Sequence, residues 1–563
     1  MLIGYVSDEM FFAVPDVQLE FMGSGESDSS YELRSRASGA VIGDIPAGAY
    51  EVILQRQGYG PKRIKMEIRP DQPYHFRLLS DRHVLGYAWP AWLRSGERSK
   101  VCVHCRESYS LELWRYGLRK ELVTKCGYFE NHPPGANRQL LPDGDFTQTG
   151  VAWNEFGYAF PAHPRQTAVA PDRSGLYYFH VRTESGRFFS FPWIVAPTRP
   201  TARVAVLASN ITWNAYNDFG GRSNYIAAVQ LPATPTVNPH QEEVFFRSTG
   251  ADYWHTKDYE PLSFERPAWI NHIDEGENIT DPIWRRGAEH VAPAEWRLLG
   301  WLEREGFDYD LYAESQLDAG TCPLDQYEVL ILSAHPEYWT RRMYFTVKSW
   351  VFERGGKLLY LGGNGINCEV ELLGEGAMRV WNEDVSEARA RRSFQGEGAR
   401  FPSRFGLRVE EESHLLGVVT SLTGMGTGAP YRVLDGKHWI FGRTGLANGD
   451  LFGLKSLNMR CPGGASGHET DKISIHSPAH VQLVAKGINP DEGGAEMIFF
   501  DTPSGGAIFS AGSISYASAA IVDEQVSRIT ANVLNRFLGS RQQSPPSSER
   551  CGGPSIPDKG VRS

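Results

Sequence analysis

Between residues 334 and 340 the chain reads AHPEYWT, directly after the apolar run YEVLIL. An apolar run of that length is suited to burial. A histidine, a proline and a carboxylate at its end, His335, Pro336 and Glu337, are costly there unless something uses them. Two further apolar runs end similarly: VAVLAS passes into NITWNAYNDFGGRSNY, which carries Tyr216 and Tyr225, and KLLYLGG passes into Asn364. A Cys or Ser nucleophile needs a sharp strand-to-helix elbow. Here that slot reads SAHPEYW, and no G-x-S-x-G supports Ser333. Without a nucleophilic side chain, a metal-activated water is the alternative. Phenolate and carboxylate are hard donors, so the set Tyr216, Tyr225 and Glu337 suits ferric iron better than zinc. The competing reading stays open: in a chain with 24 tyrosines, two phenols can be ordinary core or rim packing, and Ser, His and Asn after strands often only cap helices or satisfy turns. Cys102 and Cys105 form CVHC around His104, but no second pair stands at zinc-finger spacing, so they read as small strand residues.

Ligands of open α/β sheets gather outside the carboxyl ends of the strands, so these residues need a sheet that brings three strand ends to one rim. The pattern supplies one after the Pro-rich linker ending at Pro200. In AEWRLLGWLEREG, Leu298, Trp301 and Leu302 fall at i, i+3 and i+4, and Gly306 supplies a stop before FDYDLY. RRMYFTVKSWVFERGG places Met343, Val347, Trp350 and Val351 on one helical face and leads into KLLYLGG. Such βαβ units predict an α/β doubly wound, amidotransferase-like catalytic domain with a mostly parallel sheet over residues 199–540. Before it, GDIPAGAYEVILQRQGYG alternates Tyr50, Val52 and Leu54 and resembles the carboxypeptidase-regulatory-like modules, which predicts a small β-sandwich over 1–80. Residues 81–198 continue in short β-rich runs and predict a second, immunoglobulin-like sandwich. The expected organisation is thus multidomain, N-terminal β-sandwich modules followed by the α/β domain. The polar Pro-, Gly- and Ser-rich tail, 541–563, is expected to be disordered.

The totals narrow the function classes. Among 563 residues, 57 Lys and Arg face 67 Asp and Glu, a formal charge of -10 with no basic stripe, which argues against nucleic acid as partner. No stretch reaches the roughly 18 apolar residues of a membrane span and no cationic leader opens the chain, so a cytoplasmic protein without a membrane partner is expected. Seven scattered cysteines fit a reducing compartment.

Four segments, NAYNDFGGRSNY, SAHPEYW, the strand-Gly-Gly-Asn ending at Asn364, and GGASGHETDK at 463–472, resemble in order the signatures of the N,N-dimethylformamidase large-subunit family. The resemblance spans roughly residues 81–540 and is strongest from 203 onward. It implies amide hydrolysis at a mononuclear ferric iron held by Tyr216, Tyr225 and Glu337, with Glu469 as general base and His335 and Asn364 as orienting residues. It also implies a small-molecule amide substrate, a homo-oligomer, and a small subunit as a candidate partner. The chain departs from the family pattern in two places. There is no room between about 115 and 150 for the lectin-like sandwich of the family's large chain, and the alignment loosens after Tyr225, so Tyr253 or Tyr259 is an alternative second phenolate. Two rival functions remain at this stage: a metal-independent glycosidase with Glu337 and Glu469 as its carboxylate pair, and a non-catalytic ligand-binding protein.

Overall fold

The computed structural model describes residues 1–8, 11–23, 29–70, 72–78, 80, 84–105, 107–130, 166–217, 219, 223–224, 234–237, 261–283, 289–382, 403–421 and 423–539. The tail at 541–563 lies outside them. Strands outweigh helices, and the β-rich N-terminal half agrees with sandwich modules. A three-stranded and a four-stranded sheet, both built from residues between Leu2 and Leu78, enclose one core that includes Tyr50, Val52 and Leu54, the alternating face read from the sequence. Another three-stranded and a five-stranded sheet, between Val84 and Ala196, share a core that holds Cys102 and Cys105 as buried strand residues.

The C-terminal half is organised on one nine-stranded sheet. Its strands, in chain order, are β1 (Val204–Ala208), β2 (Asp310–Ala313), β3 (Val329–Ala334), β4 (Lys357–Gly362), β5 (Tyr431–Val433), β6 (Leu451–Phe452), β7 (Gln482–Gly487), β8 (Glu496–Asp501) and β9 (Ala507–Ser510). Their spatial order is β2-β1-β3-β4-β9-β8-β7-β5-β6. The first five run parallel and the rest pair antiparallel. The sheet is therefore mixed, where a mostly parallel one was expected. The second half is joined by hairpin-type neighbours, which need no crossover helix, and this lowers the helix content.

The helices used below are α1 (Asn210–Tyr216), α2 (Ala292–Arg304), α3 (Glu314–Asp318), α4 (Arg341–Phe352), α5 (Ser515–Ala520) and α6 (Glu524–Phe537). Alternate residues of the parallel strands divide between two cores, as the period of two requires. Val204, Val206, Leu359 and Leu361 pack with α2, α5 and α6. Ala205, Leu207, Leu358 and Tyr360 pack with Leu317 of α3 and with Met343, Val347, Trp350 and Val351 of α4. The face of α4 is the one its apolar spacing predicts, and Thr340 caps it by accepting from the Met343 N–H at 3.1 Å. Gly306, at φ +78°, ends the chain segment after α2 in the left-handed conformation that favours glycine.

The second sandwich docks on α2. Trp296 Nε1 donates to the Gly117 carbonyl at 2.8 Å, and the Glu303 carboxylate accepts from the Leu118 N–H at 2.7 Å and pairs with Arg115. Burial alone would raise Glu303, but the bonds from Arg115 and the Leu118 N–H, with the charges of Arg115 and Arg173, together outweigh it and hold the carboxyl below its usual range. A depressed carboxyl stabilises the fold above its unfolded value of 4.5 and loses that contribution as the pH falls. Arg115→Met is expected to destabilise by about 3 kcal/mol at neutral pH, because it leaves the largely buried Glu303 charge with only the exposed Arg173 as a cation, and to flatten the acid limb of the stability profile. Denaturant melts at pH 4 and pH 7 test this; a loss below about 1 kcal/mol would show that the pair does not hold the seam.

Candidate active site

Three of the quoted strand ends meet at one edge of the sheet, at the carboxyl ends of β1, β3 and β4. β1 runs into α1, whose last residue is Tyr216. Tyr216 Oη donates to Glu337 Oε2 at 2.7 Å across 121 residues of sequence. Beyond β3 the backbone turns sharply, with Ala334 at φ +52°, and sets His335 and Glu337 into the interior at 1% and 2% exposure. The Glu337 N–H is held by Thr212 Oγ1 of α1 at 3.1 Å, so helix and turn are tied by backbone as well as side chain. Beyond β4, Gly363 packs so closely that a Cβ would lie 2.6 Å from the Glu469 carbonyl oxygen and 2.7 Å from the Ile514 nitrogen. Asn364 follows at φ +52°, its N–H fixed by Asp471 Oδ1 at 2.8 Å and its Nδ2 lying 3.4 Å from His335 Nε2.

His335 is the hub. Its Nε2 lies 3.2 Å from Glu337 Oε2 and 3.2 Å from Glu469 Oε2. Burial opposes charge on the imidazole, but the two carboxylates outweigh it and raise its pKa. Burial raises Glu337 more than His335 lowers it, and the Glu469 charge adds to the rise. Glu469 goes the other way: burial would raise it, and the close approach and charge of His335 bring it down to about 2. The two carboxylates cannot both claim the one imidazolium. His335 and Glu469 form the ion pair, and Glu337 is the carboxylate whose charge the site balances least.

The structure thus brings together Tyr216, His335, Glu337, Asn364 and Glu469. Tyr225 and its alternatives Tyr253 and Tyr259 lie outside the described residues; Asn224, just before Tyr225, donates to the Tyr338 hydroxyl at 2.9 Å. The site also contains residues that pattern reading missed. The His290 ring stands edge-on to Tyr216 at 4.4 Å and to His335 and His468 at 5.3 Å each. His468 stood within the quoted GGASGHETDK, while His290, two residues before α2, carried no pattern at all. Burial, reinforced by Arg460, lowers His468 to about 3, so it is a neutral ring. Asp471 accepts from Tyr360 Oη at 2.7 Å as well as from Asn364, and burial raises it to about 7.

Among the described residues no group of three or more His, Cys, Asp and Glu side chains is arranged to hold a metal ion. The donor set read from the sequence is of another kind, two phenols and one carboxylate. The two of its members that can be described fit a hard cation: a part-buried phenol and a buried, under-balanced carboxylate, 2.7 Å apart and sharing a proton that a cation would replace. Beside them His335 Nδ1 and Asn364 Oδ1 are buried without a hydrogen-bond partner among the described residues.

Residues 161–524 match the model of the family described as N,N-dimethylformamidase beta subunit-like, C-terminal. The chain belongs to this family. The N,N-dimethylformamidase beta subunits of Paracoccus aminophilus and of an Alcaligenes species are each 26% identical over 426 residues, covering 65% of this chain and 52% of theirs. The chain spans about half the length of these curated relatives. A solved DUF3823 family protein from Bacteroides ovatus overlaps 33% of this chain and 92% of its own at 11% identity and a TM-score of 0.12, too low to carry an argument.

Gly363→Ala is expected to destabilise by about 1–3 kcal/mol, since the new methyl must displace backbone on two sides. Chemical denaturation measures this, and an unchanged midpoint would mean that β4 and the Glu469 segment are not packed as described.

Proposed function

We propose that the protein is an iron-dependent amidohydrolase that cleaves the C–N bond of a small amide. The observation that carries the reading is the contact of the part-buried Tyr216 Oη with the buried Glu337 Oε2, with His335 lying between Glu337 and Glu469. Membership of the N,N-dimethylformamidase beta subunit-like family supports it. Tyr216 and Glu337 would hold a mononuclear ferric ion, with Tyr225 as the third ligand. When bound, the ion supplies Lewis acidity toward an amide carbonyl.

The chain's own residues do the rest. Asn364 Oδ1, without a partner among the described residues, would accept from an N–H of the amide, while Asn364 Nδ2 and His335 would donate toward the oxygen on which charge develops. Glu469 takes the proton from water. In its ion pair with His335 it is too acidic to do so well. Were a cation held by Tyr216 and Glu337, His335 would lose one of the two carboxylates that favour its charged form. The parallel half of the large sheet, covered by helices on both faces, is read as the doubly wound, amidotransferase-like part of the fold. The relatives are named as beta subunits, and a multi-subunit assembly is proposed here too, with homo-oligomers and a small subunit as candidates. No described helix is long and apolar enough to cross a membrane, and a cytoplasmic location is proposed. The glycosidase reading is disfavoured because one imidazole nitrogen lies within 3.2 Å of both carboxylates, filling the gap where a glycosidic bond would have to sit.

Purified from iron-replete medium, the protein is expected to carry about one iron per chain and to be coloured by phenolate-to-ferric charge transfer, with both lost in Tyr216→Phe. Glu337→Gln is expected to lose iron. Glu469→Gln is expected to keep iron and colour while turnover of an amide panel, from formamides upward, falls about 10²- to 10⁴-fold. Parent-rate turnover in Glu469→Gln would refute its role as base, and a colourless, metal-free wild type would refute the reading as a whole.

A further inference from the structure

We propose that Glu295 and Glu314, two buried carboxyls on different helices, are positioning residues that together fix Tyr216 against Glu337. The proposal rests on the amidohydrolase reading above. It begins from an anomaly at α1. This seven-residue helix has no side-chain cap at its N-cap, Ser209, although the first N–H groups of a helix have no partners within it. A carboxyl from elsewhere takes that place. Glu295, in the first turn of α2, accepts from the Ser209 N–H at 3.2 Å and from Trp213 Nε1 at 2.9 Å. Glu314, the first residue of α3, lies beside the backbone of Ile211, and its Oε1 accepts from Trp339 Nε1 at 2.8 Å.

The two indoles are what make the arrangement more than a cap. Trp213 lies on α1, three residues before Tyr216, and Trp339 lies two residues after Glu337. Glu295 therefore holds the helix that carries the phenol, and Glu314 holds the turn that carries the carboxylate from a helix, α3, that is itself bonded to α1. A third tie runs in parallel: Asn210 Nδ2 donates to Ser315 Oγ at 2.8 Å and the Ser315 N–H returns to Asn210 Oδ1 at 3.2 Å. Glu295 and Glu314 are 3% and 0% exposed. Burial raises Glu295 to about 8 and Glu314 well above the carboxylate range. As neutral acids they hold α1 by hydrogen-bond geometry and add no anion beside Glu337. Glutamine, a neutral isostere with an acceptor oxygen in the same place, should replace either one; methionine, of similar length but without the acceptor, should not.

The test compares wild type with Glu295→Met, Glu314→Met, Glu295→Gln and Glu314→Gln in the full chain. Hydrogen exchange by mass spectrometry is expected to quicken about tenfold over residues 210–216 in the Met variants, with β3 unchanged, and to stay within about threefold of wild type in the Gln variants. In the same proteins the Met variants are expected to shift or lose the visible band and to lower kcat more than KM, and the Gln variants to restore both. Where a Met variant does not fold, Trp213→Phe or Trp339→Phe removes the donor instead and is expected to behave alike. Unaltered exchange over 210–216 in the Met variants, an equal rise in β3, or Gln variants that fail as the Met variants do would each overturn the proposal. A wild type lacking iron and amide turnover would overturn the amidohydrolase reading instead, and the exchange comparison would still decide whether these carboxyls hold α1.

Discussion

The buried pairing of His335 with Glu469 is the interaction on which the site depends. Three acidic or phenolic groups, Tyr216, Glu337 and Glu469, converge at one sheet edge, the two carboxylates buried and the phenol part-buried. Taking carboxylates out of water costs several kcal/mol each unless something balances them. At 3.2 Å and an effective dielectric near 20, an imidazolium and a carboxylate attract by roughly 5 kcal/mol. One imidazolium balances one carboxylate, and the second is left poised beside a phenol. That imbalance is what makes the pair Tyr216 and Glu337 suited to a cation.

Strand order sets where this can happen. β1 lies between β2 and β3, so the connection leaving β1 goes to one side and that leaving β3 to the other, which opens a crevice beyond their carboxyl ends. α1 and the turn after β3 occupy that position, and the rim is completed from the other side by Asn364 beyond β4. Asp471 then joins the ends: it binds the Asn364 N–H and Tyr360 Oη, and its own N–H goes to the Gly512 carbonyl. Several layers of buried polar groups support the few that could touch a substrate. A site of buried charges needs such support, because each group tolerates little displacement once its solvent is gone.

Some of this was legible locally. The apolar spacing of α4 and the alternation of Tyr50, Val52 and Leu54 matched the observed buried faces, because side-chain direction within one element follows from backbone period alone. The polar ends of three apolar runs marked the site for the same reason, since burying His335 and Glu337 without a use is costly. Other features carried no local signal. His290 precedes a helix like many residues elsewhere, and Glu295 and Glu314 read as ordinary acidic residues in first helical turns, where the helix dipole favours them. The mixed sheet was also missed, because hairpin-connected and crossover strands have the same period.

The sequence by itself determined which elements form, which of their faces are apolar, and that three strand ends carry polar residues with an oxygen-rich, nucleophile-free chemistry. Only the tertiary structure decided that these ends share one rim and how charge is divided among them. The contacts that matter join residues far apart: Tyr216 to Glu337 across 121 positions, Asn364 to Asp471 across 107, Trp213 to Glu295 across 82. Strand order, which no local period encodes, sets those approaches. Burial, which depends on every neighbour at once, then turns acidic residues that would be alike on a surface into an ion-paired Glu469, an under-balanced Glu337 and two neutral props, Glu295 and Glu314.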